Sequence, residues 1–238
     1  MIRQLFASCP FVSINPTGPR SGRLVARQPL PRPARLFEPL ESRTLLSTYY
    51  VSPAGSDTAL GTSDAAAFKT LQKAADRATS PGDVVVVRAG TYNAGFNLFG
   101  KSGGAAGAPI TFAADPGVVV THCATAGTNA SLAAINVEST GGWYVIKGFT
   151  IQSDGSMQRA GIRVAVSDDV QVLNNTVDSA FIGIFASGTR NLLIQGNVCS
   201  HSTDQHGVYV SKDSYDYVVR GNELFGNKTF DLTNENAQ

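Results

Sequence analysis

A chain of 238 residues with 42% hydrophobic and only 16% charged residues has apolar material for one large domain or two small ones, and few charges for a helical protein. Its net charge of +1 gives no electrostatic case for nucleic acid, and its three scattered cysteines make neither a disulfide framework nor a zinc pattern. No apolar run approaches the roughly 18–20 residues of a membrane helix, and the 24 glycines point to the many tight turns of a β-rich chain.

Residues 1–47 hold seven Arg against two Glu, together with seven Pro, so the rest of the chain is acidic. The segment has too little apolar periodicity to bury a core and reads as a disordered leader. It also lacks the continuous apolar stretch of a standard secretory signal. Its end, "LFEPLESRTLLS" (36–47), resembles the LEPR-XLL-type segment near the N-termini of large bacterial secreted or surface proteins, which implies a targeting or processing role.

The folded domain is expected over 48–238. "TYYVSPAGSDTALGT" (48–62) predicts a short strand leading into a turn-rich loop. Phe68, Leu71, Ala75 and Ala78 then fall at helical spacing, with Ser63 or Asp64 placed to cap the helix and Pro81-Gly82 to stop it. "VVVVRAG" (84–90) reads as a strand buried on both faces. One helix before an all-β remainder predicts a cap on the end of a β structure.

The remainder repeats. Aligned on Phe149, Asn175, Asn197 and Asn222, the copies are 26, 22 and 25 residues apart; a second register, Ile135, Ile162, Ile184, Val208 and Leu232, advances by 27, 22, 24 and 24. Each copy holds three segments of five or six residues rich in β-branched side chains, such as "GIRVA", "VQVLNN" and "TVDSA". Three strands and three turns per repeat predict a right-handed parallel β-helix of four or five coils, its hand taken by analogy with known coils.

Period-two alternation assigns the side chains. Ile146, Val172, Ile194 and Val219 point inward on the second strand, with Tyr144, Val170, Leu192 and Tyr217 two residues earlier. The third strand turns in Ile151, Val177, Cys199 and Leu224. The first strand turns in the pairs Ile135/Val137, Ile162/Val164, Ile184/Ala186 and Val208/Val210. Asn175, Asn197 and Asn222 occupy the bend between second and third strands, where stacked amides can form a ladder that Phe149 ends.

Chemistry on such a solenoid belongs on an outward face. The second-strand outward column, Lys147, Leu173, Gln195 and Arg220, reads as a solvated wall. The first-strand column is more suggestive: Asn136, Arg163, Phe185, Tyr209 and Thr233 would line a stripe on the order of 19 Å long. Exposed rings beside an Arg suit sugar faces and carboxylates. Loops on one side offer Asp154, Arg159, His201, Asp204 and His206; on the other lie Asp168, Asp169, Lys212, Asp213 and Asp216. Asp168-Asp169 is the candidate for calcium, a cation that takes hard oxygen ligands.

The bends "GFTI", "NNTV" and "GN", with the segment "YYVSPAGSDTALGTSDAAAFKTLQKAADRATSPGDVVVVRAGTY", resemble right-handed parallel β-helix proteins of the pectate lyase type, above all the family 9 polysaccharide lyases, over residues 48–227. That resemblance implies a secreted or surface protein that cleaves acidic polysaccharide by β-elimination, with calcium as cofactor and a basic residue taking the C5 proton. Arg163 and Lys212 are the candidate bases; Phe185, Tyr209, Asn136, His206 and Asp204 are candidate glycan contacts; Asp168 and Asp169 are the candidate metal ligands. "SDDVQV" supplies only that adjacent acidic pair, where the family carries a larger cluster. The chain is also short for the family, which reads as a truncated product or one relying on a partner for its last strand edges. A non-catalytic carbohydrate-binding or surface-structural β-helix is therefore the alternative reading. Glycoside hydrolysis is disfavoured, since no carboxylate pair falls on the stripe.

Overall fold

The structure, a computed structural model, describes residues 46–124, 132–211, 213–229 and 232–234. The leader up to residue 45 and Lys212 lie outside the described residues. Within them the chain is an all-β parallel solenoid whose three sheets hold seven, six and six strands. The chain visits the sheets in rotation. Ala160–Ala165, Val170–Leu173 and Thr176–Asp178 form one coil, paired with Ile184–Ser187, Leu193–Gln195 and Val198–Ser200 of the next. Five complete coils are present among the described residues, one of them ahead of the first recognisable repeat.

Pairing follows the register of the repeat: Ile162 lies between Ile135 and Ile184, and Ile184 beside Val208. The inward columns are the core. Ile135, Ile162, Ile184, Val208, Ile146, Val172, Ile194, Ile151, Val177 and Cys199 are all 0% exposed, each contributing roughly 1.5–3 kcal/mol relative to exposure. Burial pushes the Cys199 thiol up to about 12, so it is an inert packing group. Tyr217, Val219 and Leu224 in the last coil are only partly buried.

The asparagine column forms the expected ladder. Asn197 Nδ2 donates to Asn222 Oδ1 (2.9 Å) and Val172 O (2.9 Å), while its Oδ1 accepts from Asn175 N (2.9 Å) and Asn175 Nδ2 (3.0 Å). Asn175 Oδ1 in turn accepts from the backbone N–H of Phe149 at 3.0 Å, where the amide column ends. Each side chain thus satisfies backbone groups that the bend takes out of the sheets.

The N-terminal cap departs from its sequence pattern in three ways. The helix covers only Leu71–Arg77, and its N-cap is Thr70, whose hydroxyl accepts from Lys73 N (3.2 Å). Thr70 is fixed by Asp57, which accepts from Thr70 N and Oγ1 at 2.9 and 2.8 Å. Asp64, expected as a cap, opens a single 3-10 turn and pairs with Arg88 (Nη2–Oδ2 2.7 Å). The helix also stops four residues before Pro81. Asp83, 1% exposed, accepts from Thr79 N, Ser80 N and Ser47 N and so draws the chain into a turn. Finally, Val84–Val87 is buried on one face only: Val85 and Val87 are 0% exposed, whereas Val84 and Val86 are half-buried. The helix stands where a further first strand would be. Gln72 Oε1 accepts from Asn97 N (2.8 Å) and its Nε2 donates to Asn97 O (3.1 Å), supplying the hydrogen bonds a neighbouring strand would make.

The turn after the first strand takes a left-handed residue in three successive coils. Ser139 and Gly188 fill it in two coils with φ of 51° and 60°; between them stands Val166 with φ of 48° and 63% exposure. A β-branched residue there is strained. Val166→Gly is expected to raise stability by about 1 kcal/mol in urea unfolding, the relief of strain outweighing the extra chain entropy.

Candidate functional site

The outward column of the first-strand sheet is continuous in register: Asn97 beside Asn136, then Arg163, Phe185 and Tyr209. It divides into two chemically different halves. In the N-terminal half Asn136 is 0% and Arg163 6% exposed. Arg163 Nη1 donates to Asn136 Oδ1 (3.0 Å) and contacts Glu138 Oε2 (2.6 Å), and Asn136 Nδ2 donates to Asn97 Oδ1 (2.9 Å). Burial pushes the Glu138 carboxyl up, but hydrogen bonds from Arg163 and Asn136 and the charges of Arg163 and Arg159 outweigh it and hold it below its ordinary range. Asn136 and Arg163, expected as exposed glycan contact and base, are thus consumed in a buried polar network. Only 8% exposed and bonded to a carboxylate, the Arg163 side chain is not presented to a substrate on this face.

The C-terminal half is the open one. Phe185 and Tyr209 are half-buried, their ring centroids 5.4 Å apart and planes at 53°. Phe181 joins them on a small buried cluster of Ala133, Ala160 and Ile182. The His206 ring lies 4.9 Å from Tyr209. Arg159 is held at the mouth because its N–H donates to Leu132 O (2.8 Å) just before the strand begins. Its guanidinium sits 5.8 Å over the Phe185 ring, with no ion pair among the described residues. Gln158 and Gln205 complete a hollow of about 320 Å³. Ring faces, a free cation and two amides are the groups that hold a sugar ring, its carboxylate and its hydroxyls.

The flanking acids are spoken for. Asp204 points away, to Lys228 Nζ at 3.4 Å. Asp154 accepts from or pairs with His122 Nδ1 (2.7 Å), which with the bonds from Ser156 holds its carboxyl low, and Asp178 pairs with His201 Nδ1 (2.8 Å). Asp168 Oδ1 accepts from Arg190 N (2.8 Å) and its Oδ2 from the Arg190 guanidinium (3.0 Å), while Asp169 Oδ1 accepts from Asn191 Nδ2 (3.1 Å). Calcium takes six to eight oxygens. The pair has no third carboxylate beside it among the described residues, and three of its four oxygens already serve donors, so these residues do not fit a calcium site. A larger hollow, about 430 Å³, lies at the helix cap beside Lys69 and Tyr92. Tyr92 is 4% exposed and its hydroxyl donates to Arg88 O (2.8 Å), so it offers no stacking face and the open platform remains the better site.

Asn97 and Glu138 escape a reading of the repeat. Asn97 is 39 residues from Asn136, an interval stretched by loops far beyond the others. Glu138 is two residues past Asn136 on the same face, and period-two alternation points to it once the strand is extended.

The chain is thus a parallel solenoid of three sheets with an aromatic platform on one outward face. Residues 49–229 match the Pel9A-like right-handed β-helix region, and the chain belongs to that family. Among solved structures, pectate lyase Pel9A is similar at 21% identity and a TM-score of 0.61, over 78% of this chain and 50% of its own. A rhamnogalacturonan lyase is similar at 20% identity and 0.57, over 78% and 51%. A lacto-N-biosidase of family GH136 from Eubacterium ramulus is similar at 15% and 0.56, over 71% and 36%. The chain thus spans about half the length of the first two. At these identities the likeness is one of fold. No curated protein matches the chain.

Proposed function

We propose that the protein is an extracellular or surface polysaccharide-binding β-helix that holds an acidic glycan on the first-strand sheet, one sugar stacked over Phe185 and Tyr209 with its carboxylate against Arg159. The observation that carries this reading is the unpaired Arg159 guanidinium poised over an open aromatic platform. Family membership and the LEPR-XLL-like segment at the end of the leader support a place outside the cell. Affinity electrophoresis in polygalacturonate is the test. Phe185→Ala and Arg159→Ala are each expected to weaken binding about tenfold; unchanged mobility of both variants would remove the platform from the function.

Family membership favours a second reading, cleavage by β-elimination. A base removes the C5 proton, the C4–O bond breaks with the electron pair leaving on oxygen, and a C4–C5 double bond forms. Arg163 is engaged by Glu138, which leaves Lys212 as the sequence candidate for the base. Incubation with polyuronates, watched for the ultraviolet absorbance of the unsaturated product with and without calcium, separates an enzyme from a binding module.

A further inference from the structure

The turns between first and second strands form the opposite wall of the sheet, and one coil pair there differs from its neighbours. Tyr215 is 53% exposed, and the Arg190 guanidinium lies 5.3 Å from its ring centroid. Together with Asp168, Val166 and Thr189 they line a polar hollow of about 260 Å³. Thr189 is 1% exposed and its hydroxyl has no hydrogen-bond partner. Val166 at the rim is both strained and exposed, in a position that Ser139 and Gly188 fill in adjoining coils. Strain, a half-exposed ring and an unsatisfied hydroxyl at one place are what a ligand site accumulates.

We infer that this hollow is a second glycan subsite, separate from the Phe185–Tyr209 platform, and that it takes a neutral sugar. Tyr215 supplies a stacking face. The Arg190–Asp168 pair presents a donor and an acceptor side by side, suited to vicinal hydroxyls. Charge separates the two walls. The Arg190 guanidinium is neutralised by Asp168, whose Oδ2 accepts from Nε (3.2 Å) and Nη2 (3.0 Å), and in the sequence of the same turns Asp169, Asp213 and Asp216 outnumber the single Lys212. A uronate carboxylate is repelled there, whereas Arg159 attracts it on the other wall. Two subsites of opposite preference flanking one sheet fit a polysaccharide that carries neutral branches on an acidic backbone. The neutral-branch part of this inference rests on the polysaccharide reading above; the subsite itself does not.

The test uses the whole chain and small probes, so it does not depend on polymer binding. Saturation-transfer NMR is recorded with methyl galactoside, methyl arabinoside and methyl rhamnoside, and with galacturonate. At least one neutral glycoside is expected to receive saturation, and Tyr215→Ala to weaken that binding about three- to tenfold while Phe185→Ala leaves it unchanged. Tyr215→Phe keeps the ring and is expected to keep the binding, which controls for folding. No transfer to any neutral glycoside, or transfer that Tyr215→Ala does not reduce, overturns the subsite. Loss of neutral-sugar binding in Phe185→Ala but not in Tyr215→Ala overturns it too, by assigning the sugar to the platform. Failure of polygalacturonate to bind the wild type, by contrast, removes the acidic-glycan reading and leaves a positive Tyr215 result standing.

Discussion

Asn197→Ala is expected to destabilise the protein by about 3–5 kcal/mol, among the largest effects of any single substitution here. The side chain is 0% exposed and makes four hydrogen bonds across three coils. Truncation leaves the N–H and one amide hydrogen of Asn175 without an acceptor. It also removes the donor to Val172 O and one of the two donors to Asn222 Oδ1, the other being the backbone N–H of residue 197. Each orphaned buried group costs about 1–3 kcal/mol, and a column of amides that polarise one another makes the losses cooperative. Asn222 is half-buried in the last coil, so the same change there is expected to cost less. Gln195→Ala, two residues away on the outer wall, is expected to stay within about 0.5 kcal/mol. Urea unfolding of the three variants gives the order; equal midpoints for Asn197→Ala and Gln195→Ala would show that the ladder carries no stability.

That ladder was legible because a solenoid writes its fold periodically. The apolar columns, the bends and the register of Ile135, Ile162, Ile184 and Val208 follow from alternation and spacing, and pairing places them as expected. The coil holding Phe96, Phe112 and Val120 was not legible. Its strands have the same inward residues, all 0% exposed, but loops lengthen the interval past any visible period. The cap also resisted, for a different reason. Asp57 and Asp83 decide where the helix begins and ends by accepting backbone N–H groups: Asp57 lies 12 and 13 residues from its partners and leaves no local pattern, and Asp83 lies beyond the Pro81-Gly82 pair that reads as the stop.

The candidate site was half legible. Alternation identifies which side chains leave the core, so Phe185 and Tyr209 stand where they should. It does not say which outward residues remain uncovered. Arg163 and Asn136 point away from the solenoid axis yet are 6% and 0% exposed, because polar neighbours on the same face close over them. Charge balance is equally invisible in one dimension: Asp168 and Asp169 look like a free acidic pair until Arg190 and Asn191 of the next coil are seen to hold them.

Glu138 is the key to that closed half. Its side chain is 14% and that of Arg163 8% exposed, so replacing Glu138 by Leu strands a buried guanidinium and is expected to cost about 3–5 kcal/mol. Arg163→Met in the same chain removes the stranded charge, and the double variant is expected to recover most of the loss. The pair also sets an acid limit. Because the folded carboxyl titrates below its ordinary value of 4.5, the unfolded chain binds the proton more readily. The stability it contributes is therefore present above 4.5 and is lost as pH falls through the lower folded value. Urea unfolding at neutral and acid pH should show this component in the wild type and not in the double variant; an identical acid dependence in both would place the titration elsewhere. Glycan binding by the double variant decides the role of Arg163. Retained affinity makes it a positioning residue whose task is to hold the sheet surface beneath Phe185, and a loss of affinity without loss of fold would return it to the substrate.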